Sequence, residues 1–565
     1  MISNKKKIYQ KHSSPTLFKL DTAESLYSEV VITILDKNDD MNNYFSTIKP
    51  VLNKLTELNI FVSLDVVRKY VYYTIYRKGI ENIRGIECPQ KGVVEIYIAD
   101  FLIKNLIIYS SIAREKKSFT EVKTREAILS PIYELQRTVN EKRMEEYPTI
   151  WVSSYFFNQI NMQPEGNERI LFYRYYFIYN EPQVLLKIEE SLGFPLLNYF
   201  RMLFLLYSGY ANHFYYPIDQ LFNFFSNDSL DLVALKYILS IISKPLTELK
   251  ELCKNDDRYD EDQIMGYYAD SPHVKYPLIE FEQKLYCVIP AFILLASFDH
   301  LYHILNEKDQ ETRTKFAVNF ERYIGKIIES HFSNTGTKKI KYKTEIKYKF
   351  QKKEKKTSDW IIWDETDICF IECKIKKVTI IGQKANNIDV DLINRILNEK
   401  PFSNSNRKKI SDLPEGLTKD IINYGIDLGK IFVCYDDYVE NHIKEFLYMP
   451  GKRFHAFLLT LEQNFNNAYE IRNEIIKIAQ CYRNYMAKNS RIISDDEVII
   501  LSSRDIERQI PIIAEKGIAE YMNIREQGDL YKYEVNSEYL SNQCKKVLLD
   551  DLLKDINDMV KNESN

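Results

Sequence analysis

The stretch "SDWIIWDETDICFIECK" (Ser358–Lys374) holds two short runs rich in β-branched and aromatic residues, "DWIIW" and "ICFIECK", separated by the polar run Asp364-Glu365-Thr366-Asp367. Two strands joined by a tight turn is the natural reading. A turn centred between Glu365 and Thr366 sets the register: Trp363 faces Ile368, Ile361 faces Phe370, and Asp359 falls opposite Glu372. Cross-strand Cβ atoms lie about 4.5 to 5.5 Å apart, so two carboxylates meet. Like charges so placed cost stability unless a cation joins them or one stays protonated. Side chains alternate along a strand, which puts Glu372 and Lys374 on one face and turns Ile371, Cys373 and Ile375 into apolar packing.

An E-x-K triplet is a weak signal in a chain rich in both residue types, and context supplies the specificity. Upstream, "KFAVNFERYIGKIIESHF" repeats Phe316, Phe320, Tyr323, Ile324 and Ile327 at helical spacing, with Glu321 at the edge of that stripe. Gly325 lets such a helix lie close against a sheet, despite its cost of about 1 kcal/mol in a helix interior. The order is helix with Glu, Lys-rich strand, strand with Asp, strand with E-x-K. It resembles the PD-(D/E)XK, or restriction-endonuclease-like, nuclease superfamily over about residues 313 to 525. The resemblance implies that Asp359 matches the family's metal-binding aspartate, Glu372 and Lys374 the E-x-K, and Glu321 the helical acidic residue. Ser358 stands where the family's name has proline. Gln383, in "IIGQKANN", is the candidate for the glutamine many relatives carry on the next helix, but it lies nearer the E-x-K strand than theirs.

What the resemblance implies chemically is phosphodiester cleavage with Mg2+ or Mn2+. Extra negative charge builds on the phosphorane-like centre and the leaving oxygen, and a hard cation held by carboxylates offsets it. Asp359 and Glu372 suit an oxygen-only site, with Glu321 and the backbone carbonyl of Cys373 as further donors. Lys374 would orient or help deprotonate the attacking water.

Between helix and hairpin, "IKYKTEIKYKF" alternates apolar residues with Lys341, Lys343, Lys347 and Lys349, and reads as one strand with a basic face. The following "QKKEKKTS", expected as a loop, adds Lys352 and Lys353. Such a cluster suits sequence-independent contact with a phosphate backbone, or equally an edge strand guarded by lysines against aggregation. Amphipathic segments near 388–399 and 417–429 follow, then expected strands at "KIFVCY" and "FHAFLLTL", and "DDEVIILSSRDIERQI" reads as a strand feeding a helix. Together these make an α/β core with a helical crossover.

At 565 residues the chain calls for two or three domains. Its formal net charge of -3 makes any nucleic-acid surface local. The eight cysteines form no C-x-x-C pair and no metal-like set with the histidines, which suits a reducing cytoplasm. Cys369 and Cys373 share a strand face as small buried residues. The N-terminus lacks the apolar core of a secretory signal, and "YCVIPAFILLASF" is too short to cross a bilayer and reads as a buried helix, so no membrane partner is expected.

Residues 1–308 read as mainly α-helical and carry no fixed repeat; 309–525 form the nuclease-like α/β domain with a mixed central sheet; 526–565 form a helical tail. In the first part, "RKYVYYTIYRK" reads as a tyrosine-rich core helix rather than a stacking surface, and His273 as a satisfied structural histidine rather than a catalytic one. The expectation is a cytoplasmic nuclease, with DNA favoured as substrate, serving bacterial genome or anti-phage defence. Its helical half would sense, recruit or regulate through a second copy or a partner protein. The alternatives are an inactive nucleic-acid-binding or scaffold protein on the same fold, or an RNase.

Overall fold

The structure is a computed structural model that describes residues 52–76, 96–112, 168–224, 229–255, 271–333, 340–375, 388–398, 402–413, 416–441, 453–462, 465, 469–487, 491–530 and 538–546. Helices dominate these residues, with two larger sheets and a two-stranded one among them. The N-terminal half holds the first, which its helical reading missed: β1 (Tyr215–Pro217), β2 (Ser243–Pro245), β3 (Leu278–Phe281) and β4 (Lys284–Cys287), in the order β1-β4-β3-β2. These strands are only three or four residues long, too short for period-two alternation to register. The β3–β4 turn, Glu282-Gln283, has both residues at positive φ without Gly or Asn, so its letters carry no hairpin signal. Pro290 opens helix Pro290–Asn306, where its missing N–H is harmless, and Phe292, Ile293 and Leu294 are buried as expected of the apolar run.

The second sheet has five strands in the order β11-β10-β9-β8-β5. β5 (Lys341–Thr344), β8 (Trp360–Trp363) and β9 (Asp367–Lys374) are antiparallel in succession; β10 (Arg453–Thr460) and β11 (Val498–Ser502) add parallel to β9. Trp363 faces Ile368 and Ile361 faces Phe370, as the turn analysis expects. Alternation sends Trp360, Ile362, Cys369, Ile371 and Cys373 into a cluster with helices Gln310–Phe332 and Ser503–Lys516. Ile361, Ile368 and Phe370 enter another, with helices Leu417–Asn441 and Tyr469–Met486. The sheet is thus covered on both faces.

Three expectations are corrected here. "KIFVCY" is not a strand: residues 430–435 continue helix Leu417–Asn441. Buried Tyr424, Leu428 and Ile431 extend one helical stripe from the preceding segment, and a short apolar run alone does not reveal its period. "IKYKTEIKYKF" is not one strand, and "QKKEKKTS" is not a loop. After β5 the chain forms β6 (Lys347–Phe350), which turns through Gln351 and Lys352, both at positive φ, into β7 (Lys353–Lys356).

Tight helix contacts hold the core. A Cβ on Gly325 would lie 2.1 Å from Trp360 Cζ2, so only glycine lets helix Gln310–Phe332 approach β8, and the Trp360 indole N–H donates to the Glu321 carbonyl at 3.1 Å. Gly425 and Gly429 likewise bring helix Leu417–Asn441 onto Ile478 and Tyr482. The first apolar cluster crosses residue 308 without a break, from Ile170 through Leu305 and Phe316 to Cys544. Within it the Arg174 guanidinium grips Glu507 through Nε and Nη2, each at 2.6 Å, and Tyr323 donates to the same carboxylate at 2.6 Å. His273 is wholly buried, but among the described residues neither ring nitrogen has a hydrogen-bond partner, the Asp100 carboxylate lying 3.9 Å from Nδ1, so it is not the satisfied histidine expected. In "RKYVYYTIYRK", Arg68 donates to the carbonyls of Tyr210 and Ala211, while Arg77 and Lys78 lie outside the described residues.

Candidate active site

The ladder between β5 and β8 holds a constant register from Lys341↔Trp363 to Thr344↔Trp360, and β6 and β7 resume pairing at Lys347↔Lys356. Between these points two residues, Glu345 and Ile346, face three, Thr357, Ser358 and Asp359. That is a β-bulge, the device that bends a strand and re-aims a side chain. Its bonds are the Glu345 N–H to the Asp359 carbonyl (2.9 Å), the Thr357 N–H to the Ile346 carbonyl (3.0 Å) and the Ile346 N–H to Thr357 Oγ1 (2.8 Å), which leaves buried Ser358 as the extra residue. Asp359 therefore sits in the bulge, just before β8 begins.

From there Asp359 Oδ2 accepts the Cys373 N–H at 2.7 Å. A strand residue sends its N–H and C=O to the same edge, so the Cys373 carbonyl also leaves β9 on the Asp359 side. Glu372 and Lys374 share the opposite strand face from buried Cys373, as alternation requires, and the Lys374 ammonium donates to Glu372 Oε1 at 2.7 Å. Glu321 comes from the helix beneath the other face, held over the strand by its carbonyl bond to Trp360.

The electrostatics tie these four together. Burial, then the charges of Glu372 and Glu321, push the Asp359 carboxyl up to about 8. Burial, with Glu372 next, also raises Glu321. Burial acts to lower Lys374, but Glu372, Asp427 and Asp359 outweigh it and hold the ammonium charged. Burial pushes the Cys369 and Cys373 thiols well above the ordinary range, in keeping with apolar packing.

Compared with protein-family models, curated proteins and solved structures, the chain matches none. The site is therefore read from its own geometry.

Among the described residues no three His, Cys, Asp or Glu side chains already close into a metal-holding group. The donor set nonetheless fits a hard divalent ion: the Asp359 and Glu321 carboxyls, raised by burial and then by neighbouring negative charge, and a backbone carbonyl on the same edge. Sequence reasoning missed Asp427, whose Oδ2 lies 4.0 Å from Lys374 Nζ and whose Oδ1 is 2.8 Å from Lys430. It lies 53 positions beyond Lys374, and only packing of helix Leu417–Asn441 on the sheet joins them, so no local pattern could reveal it. A second polar centre, also unforeseen, lies at the far end of β9: buried Asp367 meets His455 Nε2 at 2.7 Å and Arg453 Nε at 3.0 Å. Burial opposes ionisation there, but His455, Thr366 and Arg453 hold Asp367 below the usual carboxylate range.

Of the basic residues, Lys341, Lys347, Lys349, Lys352 and Lys353 are exposed and Lys343 is half-buried. Gln383 lies outside the described residues.

Proposed function

We propose that this chain is a metal-dependent nuclease that cuts DNA, built on a restriction-endonuclease-like domain, with genome or anti-phage defence as its role. The observation that carries this reading is Asp359 bonded to the Cys373 N–H beside the Glu372–Lys374 pair, with the charges of Glu372 and Glu321 acting on its carboxyl. A mixed sheet flanked by the Glu321 helix and helix Leu417–Asn441 supports this reading. Asp359, Glu372 and the Cys373 carbonyl would hold Mg2+ or Mn2+, with Glu321 as a further donor. The bound ion would supply charge stabilisation at the phosphorus and the leaving oxygen. Asp359 is prepared by burial and like charge to accept a cation in place of a proton. Lys374, held charged between Glu372 and Asp427, would orient the attacking water and offset phosphate charge. The exposed lysines of β5 to β7 would meet the substrate backbone.

The test incubates the full chain with plasmid, single-stranded DNA and RNA, with Mg2+, Mn2+ or chelator, beside Asp359→Ala and Lys374→Ala. Metal-dependent cutting of DNA that Asp359→Ala abolishes and Lys374→Ala lowers roughly a hundredfold is expected. Equal behaviour of the three proteins sinks the assignment, wild type that binds but does not cut favours the scaffold reading, and cutting confined to RNA makes the protein an RNase.

A further inference from the structure

Residues 347–356 carry six lysines against one glutamate, and they form an arm whose structure the sequence did not reveal. β6 and β7 continue the β5–β8 ladder past the bulge and project by about 13 Å, four residues at about 3.3 Å each. One face is pinned down: Tyr348 is buried and donates to Asp437 Oδ2 at 3.3 Å, while Lys355 pairs with Asp437 and lies over the Phe350 ring. Pairing and alternation put Lys347, Lys349, Glu354 and Lys356 together on the other face, with Gln351, Lys352 and Lys353 exposed at the tip. Glu354 approaches Lys347 at 3.7 Å and Glu345 pairs with Lys356 at 2.9 Å; Lys349, Lys352 and Lys353 have no ion-pair partner among the described residues. At the foot of the arm stands Asp359.

We infer that the β6–β7 arm is a rigid surface that grips duplex DNA by its phosphates, without reading sequence, and leads it to the bulge at Asp359. Where the arm leads the DNA rests on the nuclease reading; the grip does not. The chemistry favours a duplex backbone over unpaired bases. Single-strand binding uses exposed aromatic rings as stacking platforms, and both aromatics of this arm are committed to packing. Lysine is a point charge suited to phosphate, whereas base readout uses bidentate arginine or amide groups, of which the arm has only Gln351. Pinning to helix Leu417–Asn441 leaves little ordering entropy to lose on binding.

The experiment measures binding of the full chain in chelator, by fluorescence anisotropy, to a mixed-sequence DNA duplex, the matching single strand and the same duplex in RNA. Salt runs over about 50 to 200 mM. Wild type is compared with the combined Lys347→Gln, Lys349→Gln, Lys352→Gln, Lys353→Gln variant, with an all-Arg version as the charge-retaining control. The Gln variant should weaken duplex DNA binding at least tenfold and flatten the salt slope by about 3 to 4, near 0.9 for each lost phosphate contact. The Arg version should restore both, and single-strand binding should change little. An unchanged duplex slope, or an equal loss on the single strand or the RNA duplex, overturns the inference. A flattened slope in a protein that cuts nothing upholds the arm and removes the nuclease reading; cutting with an unchanged slope does the reverse.

Discussion

Replacing Gly325 with alanine decides whether helix Gln310–Phe332 meets the sheet as described. In an unobstructed helix the change stabilises by about 0.8 to 1 kcal/mol, because alanine gives up less backbone freedom. Here the new methyl would stand 2.1 Å from Trp360 Cζ2 and 2.7 Å from Cη2, where carbon atoms settle at about 3.5 to 4 Å. The indole must retreat by about 1.4 Å or more, against its own bond to the Glu321 carbonyl. Overpacking costs about 1 to 3 kcal/mol and the strained hydrogen bond about 1 more. After the helix gain is set against them, Gly325→Ala should destabilise by about 1 to 3 kcal/mol. Urea denaturation followed by circular dichroism reads this as a lower midpoint. The Trp360→Phe change removes the clashing atoms, so the double variant should lose about 1 kcal/mol less than the sum of the singles. Activity should fall with stability, since Asp359 precedes the displaced tryptophan. A Gly325→Ala protein with a raised midpoint would refute the close approach.

Asp359 gives a pH dependence. Its folded-state carboxyl titrates at about 8 against about 3.9 in an unfolded chain, so the native state holds the proton more tightly. In chelator this contribution is full below pH ~4 and is lost as pH rises through about 8, so stability should fall across that window. Thermal melts should show the decline in wild type and its absence in Asp359→Asn; equal profiles would remove the assignment. Glu507→Gln leaves the buried Arg174 charge poorly paired and should cost about 3 to 5 kcal/mol, while the joint Arg174→Met, Glu507→Leu protein should recover most of it. If the single variant melts with wild type, the two halves are not joined there. Asp427→Asn should lower turnover by about tenfold, below the roughly hundredfold loss expected for Lys374→Ala, and should add nothing once Lys374 is gone. Independent, multiplying losses would place Asp427 outside the lysine's setting.

The hairpin register was legible because strand alternation and a polar turn are local properties, and the structure repeats it at Trp363↔Ile368 and Ile361↔Phe370. Gly325 was legible too, since a glycine on the apolar stripe of a helix asks for a close neighbour. Helix Leu417–Asn441 was half legible: its amphipathic start was plain, but "KIFVCY" is as apolar as a buried strand and only its burial stripe separates the two. The lysine arm was not, because its turn uses Gln351 and Lys352 at positive φ in place of the glycine or asparagine that would have announced it.

By itself the sequence determined which residues alternate and which recur every third or fourth position, and so the β8–β9 hairpin and the Glu321 helix. The tertiary structure decided what depends on distant chain segments: Ser358 as the extra residue that turns Asp359 toward the Cys373 N–H, Asp427 beside Lys374, and Arg174 against Glu507. Periodicity reports a residue's neighbours within one element, whereas a bulge, a helix docked on a sheet and a buried ion pair arise only where separate elements pack.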